Sequence, residues 1–202
     1  MPGLAEMLGR PASEVAPELL GWRLSHTTDE GTVTVELTEV EAYMGEADPA
    51  SHAYRGPTAR NRVMFGDPGR LYVYLSYGMH FCCNVVTGHN GHASAVLLRA
   101  GRVVEGAELA RARRGERVKD RSLARGPGCL CQALGINRDH NGADLLGSGA
   151  LTLRPGDPVN PERILSGHRV GVRLAHDVPW RFWFDGDPTV SAYKRSPRAA
   201  VD

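Results

Sequence analysis

With 202 residues and 42% hydrophobic side chains, the chain can bury one substantial core without disulfides or metal, and this composition excludes a disordered protein. A formal net charge of +1, from 24 Lys+Arg against 23 Asp+Glu, excludes a uniformly basic nucleic-acid binder. It leaves room for a local basic surface, because the total conceals how the charges are arranged.

In chain order, no basic stretch leads into an apolar segment at the start, so no secretory signal is read and a cytoplasmic location is expected. Ser13 to Leu20 has the pattern of a short amphipathic helix, with Ser13 as cap and Gly21 as stop. Thr32 to Glu41 alternates as a strand, with Val33, Val35 and Leu37 on one face. Ser51 to Gly69 is a polar loop rich in Gly, Pro and Arg. Leu71 to Val86 reads as a β-hairpin turning at Tyr77-Gly78, and Ala93 to Ala100 as a third buried strand. The stretch from Leu71 to Leu98 lacks Asp, Glu, Lys and Arg, but Ser, Gly, His and Asn interrupt it too often for a membrane span.

Val103 to Arg125 is expected to be an Arg-rich helix, and Gly126-Pro127-Gly128 to lead into a short helix at Cys129 to Leu134. Turn residues cluster at Arg154 to Pro158, and the last strands are placed at Arg169 to Leu174 and Trp180 to Phe184. No repeat or linker breaks the chain, so one mixed α/β domain spanning residues 1–202 is predicted. Cys82, Cys83, Cys129 and Cys131 lack zinc-type C-x2-C spacing and read as small apolar residues, and His89 and His92 as loop histidines, so no metal is expected.

The charges segregate along this map. Seven acids and no Lys or Arg lie between Leu24 and Tyr54, whereas Arg55 to Arg70 holds four Arg against Asp67. Nine cations face four acids from Arg99 to Arg125. The uncharged hairpin is bracketed by the two basic stretches, as a DNA-contacting face would require.

Three features point to chemistry. If the strand at Thr32 stays regular to Tyr43, then Glu39, Glu41 and Tyr43 continue its apolar face, and a carboxylate there is costly unless paired or functional. A bulge near Val40, or an arginine neutralising the glutamate, is the structural alternative. Tyr77 falls at the hairpin tip beside Gly78, where an aromatic suits a wedge that fills the gap left by a displaced base. Gly126 and Gly128, before a helix, expose backbone N–H groups to a phosphate.

Residues Glu39-Val40-Glu41-Ala42-Tyr43, His52, Arg60-Asn61-Arg62, Met64-Phe65, Leu71-Tyr72-Val73-Tyr74, Tyr77-Gly78-Met79, Asn84, Leu97-Leu98-Arg99-Ala100 and Leu130 to Asn137 occur in an order and spacing that resembles the alkyladenine (3-methyladenine) DNA glycosylase family. The likeness runs from about residue 10 to residue 195. It implies that Glu41 is the general base activating water, that Arg99 and the backbone carbonyl of Val170 hold that water, and that Tyr43, His52 and Tyr74 enclose the extruded base. By the same resemblance Asn84 opposes the 2-amino group of normal guanine, Leu97 completes the base pocket, and Tyr77 intercalates. Arg60, Arg62, Gly126 and Gly128 are candidate contacts to the DNA backbone.

The chain departs from the family pattern at Ala59, where proline is usual, and at Cys129, where lysine is common. The resemblance implies a monofunctional N-glycosyl hydrolase that needs no cofactor and acts as a monomer on double-stranded DNA holding a damaged purine, in the cytoplasm at the nucleoid. The alternative from another class is a non-catalytic DNA-damage binding protein of the same fold. The expected fold class is α+β, a single compact domain. Its curved, mainly antiparallel sheet would close like the barrel of formyltransferase C-terminal domains, with flanking helices and a protruding β-hairpin.

Overall fold

The computed structural model describes residues 3–199. Two short helices come first, α1 (Leu4–Leu8) and α2 (Ala12–Glu18). Ala12, Val15, Ala16 and Leu19 fall on one side at helical spacing and are all fully buried, which fixes α2 against the sheet. The strands are β1 (Arg23–Thr28), β2 (Gly31–Tyr43), β3 (Leu71–Ser76), β4 (His80–Val86), β5 (Ala95–Glu105), β6 (Ala124–Arg125), β7 (Leu151–Arg154), β8 (Ile164–Gly167) and β9 (Arg181–Phe184). Helices α3 (Ala107–Arg114) and α4 (Pro127–Leu134) lie between β5 and β7 in the chain.

The long strand β2 organises the sheet. From Thr34 to Tyr43 it pairs with β5 on one side, while its other edge is shared between β1 near the start and β9 at Glu39 to Glu41. The strand order is β3-β4-β5-β2-β1-β7, with β6 added beside β5 and β8 carried on β9, and the pairings are antiparallel. The outer strands β3 and β7 do not meet, so the sheet is open and forked. The expected barrel closure is therefore wrong. Helices laid on the core face bury its apolar residues without closure.

A bulge in β2 sends two sets of side chains to opposite faces. Leu37 lies opposite Gly101, but Glu39 lies opposite Ala100 and Val40 opposite Leu98, so the register slips around Thr38 and again at Arg99. Val33, Val35 and Leu37 enter the main core, followed by Val40 and Ala42. Glu39, Glu41 and Tyr43 consequently leave the apolar face, which corrects the assumption of a regular strand. Thr38, caught in the bulge, bonds its hydroxyl to that of Thr189 at 2.7 Å.

The same division runs across the sheet. Leu71, Val73, Cys83, Val85, Val96 and Leu98 join the main core, whereas Tyr72, Tyr74, Cys82, Asn84, Leu97 and Arg99 turn to the other face and line a cavity. Helix α4 covers the core face with Leu130, Cys131, Ala133 and Leu134, each buried leucine contributing about 2 kcal/mol. Pro127 in its first turn and left-handed Gly135 at its end set its limits. All four cysteines are free, and Cys82, Cys83 and Cys131 are buried.

Two elements differ from the sequence expectation. The stretch beginning at Val103 continues β5 to Glu105, because β-branched residues favour the strand. Gly106 then turns the chain at φ +72°, where a Cβ would sit 2.1 Å from the Thr32 carbonyl oxygen. Only Ala107–Arg114 is helical; Asp120–Ser122 is a 3-10 turn and Ala124–Arg125 a strand. Residues 169–174 form a loop rather than a strand, since Gly171 takes φ +71° and interrupts their alternation. Strands β1, β7 and β8 had no counterpart in the sequence reading.

Candidate active site

The cavity has a volume of about 760 Å³ and is bounded by β2, β3, β4, β5 and the loop at Val170 to Leu174. Tyr43, His52, Arg60, Tyr74, Tyr77, Asn84, Leu97, Arg99 and Val170 all line it, so the structure brings together most of the side chains singled out from the sequence. The size is that of an ordinary small-molecule site, and Tyr43, Tyr72, Tyr74 and Tyr77 stand in its wall.

Glu41 is fully buried immediately behind this wall. Its Oε2 accepts from the Tyr43 hydroxyl at 2.8 Å, and its Oε1 accepts from the Val170 amide at 2.7 Å. Arg99 approaches Oε1 through NH1 at 3.4 Å. A water reaching this carboxylate has to come through the cavity, because Tyr43, Arg99 and Val170 form its boundary. Burial, reinforced by the Glu41 charge, pushes the Tyr43 phenol well above its ordinary range, so its hydroxyl remains a donor.

Arg99 is itself enclosed. Burial alone would lower its pKa, but Glu41 and Glu39 on either side hold the guanidinium charged. Its Nε donates to Glu39 Oε1 at 2.7 Å and its NH2 to Ser191 Oγ at 3.3 Å. Glu39 also accepts from Arg181 Nε at 2.8 Å, from the Ser191 amide at 2.7 Å and from the Ser191 hydroxyl at 2.9 Å. Burial opposes ionisation of Glu39, yet the charges of Arg99 and Arg181 hold its carboxyl below the usual range.

A second buried pair backs Tyr43. Arg169 makes a bidentate contact to Asp48 at 2.5 and 2.9 Å and donates to the Ala42 carbonyl at 3.0 Å. Its guanidinium lies 4.7 Å from the Tyr43 ring centre and 5.2 Å from that of Trp180. The pair anchors the loop whose next residue, Val170, gives its amide to Glu41. Sequence reasoning assigned no role to Asp48, Arg169, Arg181 or Ser191, because lone charged and hydroxyl residues carry no signal of burial.

The remaining wall is ordered by strand register. Tyr72 and Tyr74, two residues apart on β3, stack at 5.6 Å, and His52 sets its edge on Tyr74 at 4.5 Å. Burial pushes the Tyr74 phenol well up. Enclosure by the pocket wall and then the Arg60 charge push His52 down, although part of the ring faces solvent. Asn84 lies opposite Tyr72 on β3 and Leu97 on β5, and donates its Nδ2 to the Tyr72 carbonyl at 3.1 Å. The amide is thereby fixed against rotation.

Tyr77 is 89% exposed at the tip of the β3–β4 hairpin and has φ +50°, followed by Gly78 at +69°. Arg60 places its guanidinium 5.6 Å from the Tyr74 ring centre, and Arg62 is exposed on the 3-10 turn Arg62–Phe65. Gly126 precedes α4 at φ +102°, and Pro127 reaches the cavity. Gly128 packs on the hairpin: a Cβ there would lie 2.9 Å from His80 Cβ.

The charges separated along the sequence recombine in space. Arg113 meets Glu30, Arg102 meets Glu36, and Arg99 meets Glu39 and Glu41, so the acidic stretch engages three of the nine cations of the second basic one. Among the described residues, no group of three or more His, Cys, Asp or Glu is placed to hold a metal. No described helix is long and apolar enough to cross a membrane.

A sequence model of the methylpurine-DNA glycosylase family matches residues 6–188. The chain belongs to that family. It is 53% identical over 197 residues to a Streptomyces avermitilis protein, covering 96% of this chain and 92% of that one. It is also 53% identical over 192 residues to one from Leifsonia xyli, at 91% and 89% coverage, and 49% identical over 207 residues to one from Frankia casuarinae, at 98% and 95%. All three carry the name "Putative 3-methyladenine DNA glycosylase". As a member of this DNA glycosylase family, the chain is an enzyme, a hydrolase of the N-glycosidic bond that serves base-excision repair.

Proposed function

We propose that this glycosylase turns an alkylated or deaminated purine out of duplex DNA into the aromatic cavity and hydrolyses its N-glycosidic bond with a water activated by Glu41. The observation that carries the reading is the position of Glu41. It is hydrogen-bonded to two residues that line the cavity, Tyr43 and Val170, and it lies beside a third, Arg99.

Hydrolysis at C1′ passes through an oxocarbenium-like sugar, so a carboxylate there both takes a proton from water and stabilises positive charge. Each Glu41 oxygen accepts one strong hydrogen bond and keeps a lone pair for water. The Val170 amide is bonded to Glu41, and the carbonyl of the same residue is the group the resemblance gives to the water. No lysine lines the cavity, which supports hydrolysis without a covalent Schiff-base step.

Tyr43 and Tyr74 offer ring faces to the base, and Asn84, held by Tyr72, opposes the 2-amino group of a normal guanine. Purines alkylated at N3 or N7, such as 3-methyladenine and 7-methylguanine, are cationic and leave readily. Hypoxanthine and ethenoadenine, being neutral, need a proton or hydrogen bond to depart. Tyr77 fills the space the base vacates, and lesions that pair badly flip at least cost. Arg60 and Arg62, with the Gly126–Gly128 turn, lie where phosphates pass.

The test is Glu41→Gln, assayed by base release from a defined lesion duplex under single turnover and by affinity for the same duplex. Release is expected to fall by at least about 100-fold, the ordinary share of a general base, with affinity retained. Release at the wild-type rate would remove Glu41 from the mechanism.

A further inference from the structure

Glu39 is a buried carboxylate that the reaction above does not use. Its hydrogen bonds run to Arg99, Arg181 and Ser191, of which Arg99 alone lines the cavity, so its link to the site runs through Arg99. Four donors converge on it, from Arg99, Arg181 and both the amide and the hydroxyl of Ser191. Its effect on chemistry is transmitted through Arg99. A free guanidinium beside a carboxylate adopts a two-pronged pair, with two parallel N–H bonds. Here the Nε edge of Arg99 is held by Glu39 at 2.7 Å and its NH2 turns to Ser191 at 3.3 Å, so Arg99 approaches Glu41 through NH1, at 3.4 Å.

We infer that Glu39 is a positioning residue for the glycosylase reaction, holding Arg99 side-on so that Arg99 cannot close on Glu41 as a two-pronged pair. The base then keeps its free lone pairs for water. Ser191 and Arg181 complete the clamp by saturating Glu39. The inference rests on the reading of Glu41 as the base.

Charge bookkeeping leads the same way. The groups facing Glu41 are Glu39 and Tyr43 on β2, Arg99 on β5, Tyr74 on β3, Arg169 beside the Val170 amide, and Arg181 as its cross-strand neighbour on β9. Around Arg99, two carboxylates balance the guanidiniums of Arg99 and Arg181. Removing the Glu39 charge leaves both cations to act on Glu41 alone, and opposite charge at this range makes a carboxylate a weaker base.

The experiment follows base release from a 7-methylguanine duplex under single turnover across pH, with duplex affinity measured in parallel. A cationic base needs no proton to leave, so the acid limb of the profile reports the general base. Glu39→Gln is expected to lower the plateau rate about tenfold with affinity unchanged, and to move the acid limb to lower pH. Glu39→Asp is expected to recover part of the rate. Ser191→Ala, which removes one hydroxyl from the clamp, is expected to move the limb in the same direction by less, with thermal stability near wild type.

An unmoved acid limb in folded Glu39→Gln overturns the inference, as does an unmoved limb in Ser191→Ala should Glu39→Gln fail to fold. Glu41→Gln measured alongside separates the two readings. If it retains release, the assignment of Glu41 fails. If it abolishes release while the Glu39 and Ser191 variants keep the wild-type limb, only the role of Glu39 fails.

Discussion

Replacing Tyr77 by glycine separates the work of the hairpin tip from the stability of the fold. The side chain is 89% exposed, so its removal gives up almost no buried area. The backbone at φ +50° costs a residue with a Cβ about 1 kcal/mol, which glycine does not incur. Glycine also loosens the unfolded chain by about 0.4–1 kcal/mol, so the two effects nearly cancel. For about 200 residues, 1 kcal/mol corresponds to about 2–4 °C in Tm, and Tyr77→Gly should therefore melt within about 2 °C of wild type. A ring stacked on a base contributes about 1–3 kcal/mol, so affinity for a lesion duplex should fall about 5- to 150-fold. Thermal melting and titration of a fluorescent lesion duplex measure the two quantities on one preparation. A Tm lowered by more than about 4 °C would place Tyr77 in the packing of the domain, and unchanged affinity would refute the wedge.

The Asp48–Arg169 pair has both side chains fully buried, so Asp48→Asn leaves an uncompensated guanidinium and should cost about 3–5 kcal/mol in a urea titration. A loss below about 1 kcal/mol would mean that water or another acid reaches Arg169. His26 is buried against the Leu134 carbonyl, and burial lowers its pKa from 6.5. Since the folded form gives up its proton more readily than the unfolded chain, the stabilisation from neutral His26 is complete above about pH 6.5 and is lost as pH falls below it. The urea midpoint of the wild type should drop through that window, and His26→Gln should reduce the drop. An equal drop in the variant would assign it to other groups.

Period-two alternation located the hairpin, β2 and the site residues they carry, because apolar strands bounded by turn residues announce themselves. The parity that sets Glu41 apart presumes a regular strand, and β2 is not regular. The bulge at Thr38 depends on pairing with β5, and no local pattern encodes it. Strand β1 escaped notice because its inward positions are Leu24 and His26, too few apolar residues for a signal. The Arg169 to Leu174 alternation had the strand period, but Gly171 and the burial of Arg169 against Asp48 make it a loop. Pairings such as Glu39 with Arg181 and Ser191 join residues about 150 positions apart, a distance across which composition is silent.

Alternation along β3, β4 and β5 gives the cavity wall and the folding core different side chains of the same strands. Tyr72, Tyr74, Asn84 and Leu97 alternate with Leu71, Val73, Val85 and Val96, yet the two sets pack on opposite sides of the sheet. A lineage could thus retune which damaged bases it accepts while its folding core stays untouched. The ionic cluster around Glu39 and Arg99 is where that freedom ends, for under the proposed mechanism one set of buried charges there serves both fold and catalysis.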